Sequence, residues 1–199
     1  MALPVKDKRY TAEEYLELER QAEYKSEFVD GEIIPFARVN QDHCLISTGS
    51  IAELGQQLRG TPNYIFASQM RLEVAQCYVY PDILVVCGET RFADHRRDIL
   101  LNPTLIIEIL SPATEGFDRG EKFRRYRTLD SLQTYALISQ HRPLVEVFER
   151  QGERWVLTKY AGLDSSLPLP SIGCELQLAE VYDKVDFEGV GQEVDEADS

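Results

Sequence analysis

The stretch TLIIEILSPAT, residues 104–114, places a single acid, Glu108, inside an apolar run that ends at Ser111. A short and nearly continuous apolar run is typical of a central strand that is buried on both faces. The stretch DILVVC, residues 82–87, is a second run of this kind and begins with an acid, Asp82. The sequence therefore predicts two buried central strands, each carrying one carboxylate.

Helices and further strands are predicted on both sides of these two runs. Thr11 opens a capping box, Thr-Ala-Glu-Glu, at the start of a short helix that ends near residue 20. Asp30-Gly31, set between alternating apolar residues, predicts a β-hairpin. The remaining predicted segments are helices over 41–58, 118–129 and 178–185, strands over 64–74, 134–139, 143–150 and 154–160, and loops over 88–102 and 112–118. This mixture predicts an α/β domain.

The composition is that of a globular protein of one domain. Of the 199 residues, 43% are hydrophobic and 28% are charged. The sequence contains no run of 18 apolar residues and no apolar stretch in its opening MALPVKDKRY, which argues against a membrane span and a secretory signal. The four cysteines are widely spaced and form no C-x-x-C motif, which favours reduced thiols over a zinc site. We therefore expect a cytoplasmic protein.

The net charge of -13 is unevenly distributed along the chain. Residues 183–199 contain seven acids and one lysine. We predict a folded domain over residues 1–185 and an acidic, disordered tail over residues 186–199, because the tail has few apolar residues. One segment is basic: residues 118–127 contain four arginines and Lys122 against two acids. An acidic body with one basic segment differs from a general DNA-coating surface.

Asp82 and Glu108 are candidate metal ligands. An ionised carboxylate in an apolar strand is costly unless it is paired or binds a metal ion. If the two strands are neighbours, the two acids can converge, and carboxylates without His or Cys ligands suit Mg²⁺ or Mn²⁺. The alternative remains open at this point: Asp82 caps the start of its strand, and Glu108 pairs with an arginine.

The helix predicted after residue 118 presents Asp118, Lys122 and Tyr126 on one face, because they are four residues apart. Lys122 can then reach back to the two carboxylates, where its charge would orient a water molecule or stabilise a transition state. The alternative is a solvated helix with a surface Asp118–Lys122 pair, and for Tyr126 simple packing. His43, in the first long predicted helix, is a further candidate to line the site.

Three segments together resemble the family of putative restriction endonucleases within the PD-(D/E)XK nuclease superfamily. They are YPDILVV at 80–86, IEILSPAT at 107–114, and DRGEKF at 118–123 followed by Tyr126. The opening capping box, the hairpin at 27–32 and residues 132–137 also match, so the resemblance covers about residues 11–182. It implies a restriction-endonuclease-like fold, in which a mixed central sheet is flanked by helices, with additional N-terminal and C-terminal antiparallel strands.

The resemblance also implies roles for individual residues. Asp82 and Glu108 match the catalytic, metal-binding acids of the superfamily motif. Leu110 stands where that motif has its lysine, and Lys122 matches a lysine that has moved to the following helix. Glu27, in the first hairpin, matches an acid that often joins the metal site. The implied activity is phosphodiester hydrolysis with Mg²⁺ or Mn²⁺ as cofactor.

The expected function is therefore that of a metal-dependent DNA endonuclease. Because two sites are the simplest means of cutting both strands of a duplex, we expect a homodimer. The alternative is a non-catalytic module of the same fold that binds protein or nucleic acid, which the acidic surface favours. A purely structural α/β domain would leave the two strand carboxylates, Asp82 and Glu108, without explanation.

Overall fold

Thirteen strands form three sheets within the described part of the chain. The structure is a computed structural model that describes residues 8–36 and 39–187. The strands are β1 Ser26–Val29, β2 Glu32–Pro35, β3 Asn63–Ala67, β4 Arg71–Val74, β5 Cys77–Val79, β6 Ile83–Cys87, β7 Ile99–Leu100, β8 Leu105–Leu110, β9 Thr134–Ser139, β10 Leu144–Gln151, β11 Arg154–Ala161, β12 Ser166–Leu169 and β13 Cys174–Gln177. The helices are α1 Ala12–Gln21, α2 Gln41–Gln57, α3 Glu115–Phe117, a π-helix Asp118–Lys122, α4 Phe123–Tyr126 and α5 Leu178–Val181. None of these helices is long and apolar enough to cross a membrane.

The central sheet has the strand order β11-β10-β9-β8-β6-β3 and contains both parallel and antiparallel pairs. The two apolar runs of the sequence are neighbouring strands, since β6 pairs with β8 in antiparallel orientation and Ile83 lies opposite Ile107. β8 pairs with β9 in parallel. All of β8 is buried, and so is β6 up to Cys87, as their sequences predict. The register brings Asp82, directly before β6, beside Glu108.

Different elements cover the two faces of the central sheet. Ile107 of β8 packs with Ile46 of α2 and with the C-terminal strands. Ile106 packs on the opposite face with Tyr126 of α4 and with the five-stranded sheet. Because side chains alternate along a strand, Glu108 lies on the face of Ile106, where the π-helix and α4 follow. This alternation is what directs Glu108 toward the helical segment after β8.

The five-stranded sheet, in the order β2-β1-β5-β4-β7, includes the N-terminal hairpin. The predicted capping box is present at the start of α1, where Thr11 and Glu14 each accept a hydrogen bond from the backbone N–H of the other. Asp30 and Gly31 have φ angles of 50° and 82°, the left-handed conformations that a tight hairpin turn requires. Since β1 pairs with β5, Glu27 lies next to the chain that leads into β6.

The C-terminal part of the chain adds a two-stranded antiparallel sheet, β12 with β13. α5 packs against the core, and the ring of Phe187 lies 5.4 Å from that of Tyr182. Packed residues thus reach at least to Phe187, close to the predicted domain boundary at 185. Residues 188–199, most of the predicted acidic tail, lie outside the described residues.

Several predicted elements have different bounds in the structure. Residues 64–74 form two strands in different sheets, and residues 68–70 between them contain neither glycine nor proline to mark the turn. The predicted loop over 88–102 includes the short strand β7. The helix predicted over 118–129 begins earlier, in α3, and passes through a π-helix before it ends with α4. The sequence pattern assigned no strand to the residues of β5, β12 and β13.

Buried tyrosines should make the fold sensitive to alkaline pH. Burial raises the pKa of Tyr80 to about 12 and raises the pKa values of Tyr126 and Tyr135 well above the ordinary value. In the unfolded chain the pKa of tyrosine is about 10, so the stabilisation is complete below that pH and is lost as the pH rises through the folded-state values. We expect the melting temperature to fall as the pH is raised above about 10. Ionisation of all tyrosines near pH 10, measured by tyrosinate absorbance with helical circular dichroism unchanged, would contradict this.

Candidate functional site

A small cavity lies where β6 begins and β8 ends. About 50 Å³ of it is open to the centres of water-sized molecules. That volume holds a few waters or a hydrated ion, since one water needs roughly 10–15 Å³ by this measure. The cavity is lined by Glu27, Phe36, Val39, His43, Tyr80, Asp82, Glu108, Ile109, Ser111, Thr114, Asp118 and Lys122.

All four site residues predicted from the sequence line this cavity. Glu27, Asp82, Glu108 and Lys122 come from β1, the start of β6, β8 and the π-helix, and each is at most 9% exposed. Four ionisable side chains from separate parts of the chain thus meet in one buried place. Such a cluster is stable only if its charges compensate one another or an ion compensates them.

Lys122 supplies the positive charge of the cluster. Its Nζ lies 3.1 Å from Glu108 Oε1, 3.0 Å from Asp118 Oδ1 and 3.9 Å from Glu27 Oε1. Burial alone lowers the pKa of the ammonium, but the three carboxylates together outweigh burial and raise this pKa. Lys122 therefore remains protonated. The predicted approach of Lys122 to Glu108 is confirmed, while Leu110, at the position of the usual motif lysine, is buried in the core.

Glu108 is held by two donors on the same oxygen. Oε1 accepts hydrogen bonds from Lys122 Nζ at 3.1 Å and from the Tyr126 hydroxyl at 2.8 Å. Burial raises the pKa of Glu108 well above its usual range, and Lys122 acts in the opposite direction. Tyr126 is fully buried, so it both packs and hydrogen-bonds, whereas the sequence favoured packing alone. The alternative that Glu108 pairs with an arginine is wrong, because the cationic partner of Glu108 is Lys122.

Asp82, which directly precedes β6, contacts both β8 and the first turn of α2. Its Oδ2 accepts the Ile109 backbone N–H at 2.8 Å and lies 3.2 Å from His43 Nε2. His43 is in the first turn of α2 and is 7% exposed. His43 was a candidate from the sequence to line the site, and the structure places it beside the Asp82 carboxylate in the cavity.

Glu27 connects the cavity to a hydrogen-bond network in the five-stranded sheet. Its Oε1 accepts the Tyr80 backbone N–H at 2.9 Å. The Tyr80 hydroxyl donates to Glu19 at 2.8 Å and accepts from Arg71 at 2.9 Å. This network fixes the position of Glu27 relative to Asp82, which follows Tyr80 by two residues.

Asp118 belongs to the cluster, although the sequence favoured a surface pair with Lys122. It is 1% exposed, and its Oδ1 has the ionic contact with Lys122 but no hydrogen bond of good geometry. The π-helix that contains both residues is anchored by the Tyr135 hydroxyl, which donates to the Asp118 carbonyl at 2.9 Å. π-helical turns are rare and frequent at functional sites. The four-residue spacing of Asp118, Lys122 and Tyr126 was the signal for this common face.

Most of the positively charged side chains in the basic segment 118–127 form ion pairs with acids of the same chain. Arg119 pairs with Glu115 and Glu146. Arg124 and Arg125 both pair with Glu121, and Arg125 also pairs with Asp30. The segment is therefore not the free positive surface that its sequence suggests.

The donor set of the cavity fits a hard divalent cation. Among the described residues, no group of three or more His, Cys, Asp or Glu side chains is already arranged around a metal position, and the Lys122 ammonium lies among the carboxylates instead. One oxygen of each acid, Glu27 Oε2, Asp82 Oδ1 and Glu108 Oε2, accepts no hydrogen bond from the described residues. Carboxylate oxygens, with water at the remaining positions, are the ligands of Mg²⁺ and Mn²⁺.

Comparison with known proteins agrees with the fold and with the resemblance inferred from the sequence. The family model Uma2, described as "Putative restriction endonuclease", matches residues 12–180. The chain belongs to the Uma2 family. The match includes all the residues that line the cavity.

Two relatives and one solved structure extend the comparison of this Uma2 chain. The uncharacterised protein sll1609 of Synechocystis sp. is 40% identical over 160 residues, which are 79% of this chain and 90% of that protein. The uncharacterised protein slr1290 of the same organism is 30% identical over 182 residues, 87% and 92% of the two chains. A crystal structure of "a putative nuclease belonging to DUF820" from Anabaena variabilis has a TM-score of 0.70 at 21% identity, covering 86% of this chain and 97% of that one. This likeness shows the shared restriction-endonuclease-like fold.

Proposed function

We propose that this Uma2 chain is a Mg²⁺- or Mn²⁺-dependent endonuclease that hydrolyses phosphodiester bonds of DNA at the cavity. The observation that carries the proposal is the buried Lys122 ammonium, 3.1 Å from Glu108 in a cavity that Asp82 and Glu27 also line. Family membership supports a nuclease-like activity. Buried charge clusters that shift pKa values are concentrated at functional sites.

Asp82 and Glu108, together with Glu27, would hold the ion. When bound, the ion supplies positive charge to the phosphate and acidifies a water ligand. The chain's own contribution is to keep three carboxylates close together against their mutual repulsion. Burial and the hydrogen bonds to Tyr80, Ile109 and Tyr126 hold them in place.

Lys122 stabilises negative charge on the reacting phosphate. Its raised pKa keeps it protonated, so it cannot accept the proton of the attacking water. Its role is instead to donate a hydrogen bond and to present a fixed positive charge, which is effective in a site that excludes bulk water. Asp118 and Glu108 hold the ammonium from two sides, which limits the reorganisation needed during reaction.

The charge distribution favours a second candidate function. The body is acidic, and three of the four arginines of residues 118–127 are ion-paired, so this segment offers little free positive charge to a polyanion. This observation favours the alternative of a non-catalytic module on the same fold, and within that alternative it favours protein over nucleic acid as the partner. The uncommitted carboxylate oxygens of Asp82 and Glu108 favour the nuclease.

Incubation of the chain with supercoiled plasmid and with single-stranded DNA tests the proposal. We expect nicked or linear product with Mg²⁺ or Mn²⁺ and none with EDTA. The same ions should raise the melting temperature of the wild type but not that of Asp82→Asn, because binding to the folded state alone stabilises it. Intact DNA at all metal concentrations, with the wild type still folded, would leave the non-catalytic module as the function.

The homodimer stays a prediction. β11 forms one outer edge of the central sheet, and Val156 and Leu157 on it are 38% and 44% exposed. Exposed strand edges can pair with a second chain. The proportion of linear to nicked plasmid in the cleavage assay reports whether two sites act together on one duplex.

A further inference from the structure

We infer that His43 is a positioning residue whose Nε2 contact orients the Asp82 carboxylate, so that Asp82 Oδ1 is left for a metal ion in the cavity. This inference rests on the proposed metal site. The contact joins His43 Nε2 to Asp82 Oδ2 over 3.2 Å, between two side chains that both line the cavity. Neither the family description nor the resemblance found in the sequence gives His43 a role.

His43 is itself held rigidly at the cavity wall. It is the third residue of α2, and its backbone N–H donates to the capping Asn40 Oδ1 at 3.0 Å. α2 is anchored on the central sheet through Ile46 and Leu54, which are fully buried. A donor on this first helical turn has a fixed position relative to the start of β6.

Two groups from different elements contact the same oxygen of Asp82. Oδ2 accepts the Ile109 N–H of β8 at 2.8 Å and lies 3.2 Å from His43 Nε2 of α2. Because the carboxylate is planar, a hydrogen bond and a close contact from different directions on one oxygen limit its rotation, and with it the direction of the other oxygen. Oδ1, which accepts no hydrogen bond from the described residues, is thereby left for a ligand in the cavity.

If His43 had a purely structural role, its buried imidazole would only need a polar partner, and metal binding would not depend on it. The positioning role makes a stronger claim, because losing a partner that orients a metal ligand costs about 10–100-fold in metal affinity. Leucine and asparagine at position 43 both remove the contact: leucine has no donor, and the amide of asparagine is too short to reach Asp82. Glutamine carries an N–H donor at nearly the distance of Nε2.

The test is Mn²⁺ affinity, measured from the electron paramagnetic resonance of free Mn²⁺ in titrations of the full chain. We expect H43L and H43N to bind Mn²⁺ about 10–100-fold more weakly than the wild type, and H43Q to recover most of the loss. H141L, at an exposed histidine in the turn between β9 and β10, is the matched control and should bind as the wild type does. Circular dichroism identifies variants that are folded, and H43N serves if H43L is not.

Each outcome decides the inference. Wild-type affinity in folded H43L or H43N would overturn it. A loss in H43Q as large as that in H43N would also overturn it, because the imidazole would then act as a ligand and not as a donor to Asp82. Absence of Mn²⁺ binding by the wild type would instead remove the proposed function on which the inference rests.

Discussion

The variant Lys122→Met is expected to unfold with a free energy about 3–5 kcal/mol below that of the wild type, the usual cost of removing one partner of a buried ion pair. Methionine keeps most of the length of the side chain but removes the charge that Glu108, Asp118 and Glu27 share. Asp118 Oδ1 depends on this ammonium in particular, since it has no hydrogen bond. Urea denaturation at neutral pH without divalent ions gives the free energy directly.

Lys159→Met is the matched control for this change. Lys159 also pairs with a buried acid, with Nζ 2.8 Å from Glu146 Oε1, but its side chain is 59% exposed. An exposed lysine in an ion pair contributes about 0–1 kcal/mol, so this variant should remain close to the wild type. Mg²⁺ or Mn²⁺ should stabilise Lys122→Met more than the wild type, because the ion would replace the missing positive charge. Equal stability of the two lysine variants would show that the buried carboxylates do not depend on Lys122.

The central part of the fold could be predicted because its sequence signals are local. A strand buried on both faces needs a continuous apolar run, and the chain contains two such runs that become neighbouring strands. The positions of Asp82 and Glu108 within those runs then bring the two acids to the same cavity. The hairpin at Asp30-Gly31 and the capping box at Thr11 were likewise predictable from a few adjacent residues.

The remainder depends on contacts between distant parts of the chain. Arg119 was expected to be a free surface cation, but it pairs with Glu146, which follows it by 27 residues. No local sequence pattern predicts that pair. His43 and Asp82 approach each other only because α2 packs on the sheet that contains β6. The Tyr135 hydroxyl from β9 donates to the carbonyl of Asp118 at the start of the π-helix, a contact between distant residues, so the burial of Asp118 could not be predicted from its own segment.

The chemistry of the site was easier to predict than its electrostatic setting. Leu110 showed that the usual lysine was missing, and the four-residue spacing from Asp118 indicated where Lys122 could reach. The spacing could not show that Lys122 lies among the carboxylates of Glu27, Glu108 and Asp118. Among the described residues, its ammonium is the only cationic group within 4 Å of these three acids. The same ammonium thus stabilises the metal-free fold and carries the proposed role in catalysis, which joins stability to function at one residue.

The variant Glu108→Gln is expected to lose DNA cleavage by at least about 100-fold, because loss of a metal ligand should exceed the 10–100-fold cost of losing an outer partner of one. Folding should be retained, since the glutamine oxygen can still accept the hydrogen bonds that Lys122 and Tyr126 now donate to Glu108. The measurement is the initial rate of plasmid cleavage in Mn²⁺, with the melting temperature of each variant recorded in EDTA.

Glu146→Gln is the matched control, because it neutralises another buried acid of the same sheet. Glu146 lies in β10, is 6% exposed and pairs with Arg119 and Lys159, but it does not line the cavity. We expect this variant to lose stability through its broken ion pairs and to keep its cleavage rate. Equal cleavage by Glu108→Gln and the wild type would remove Glu108 from the reaction. An equal loss of cleavage in both variants would show that any neutralised buried acid disturbs the sheet, and the assignment of Glu108 would fail because the effect would not be specific to the cavity.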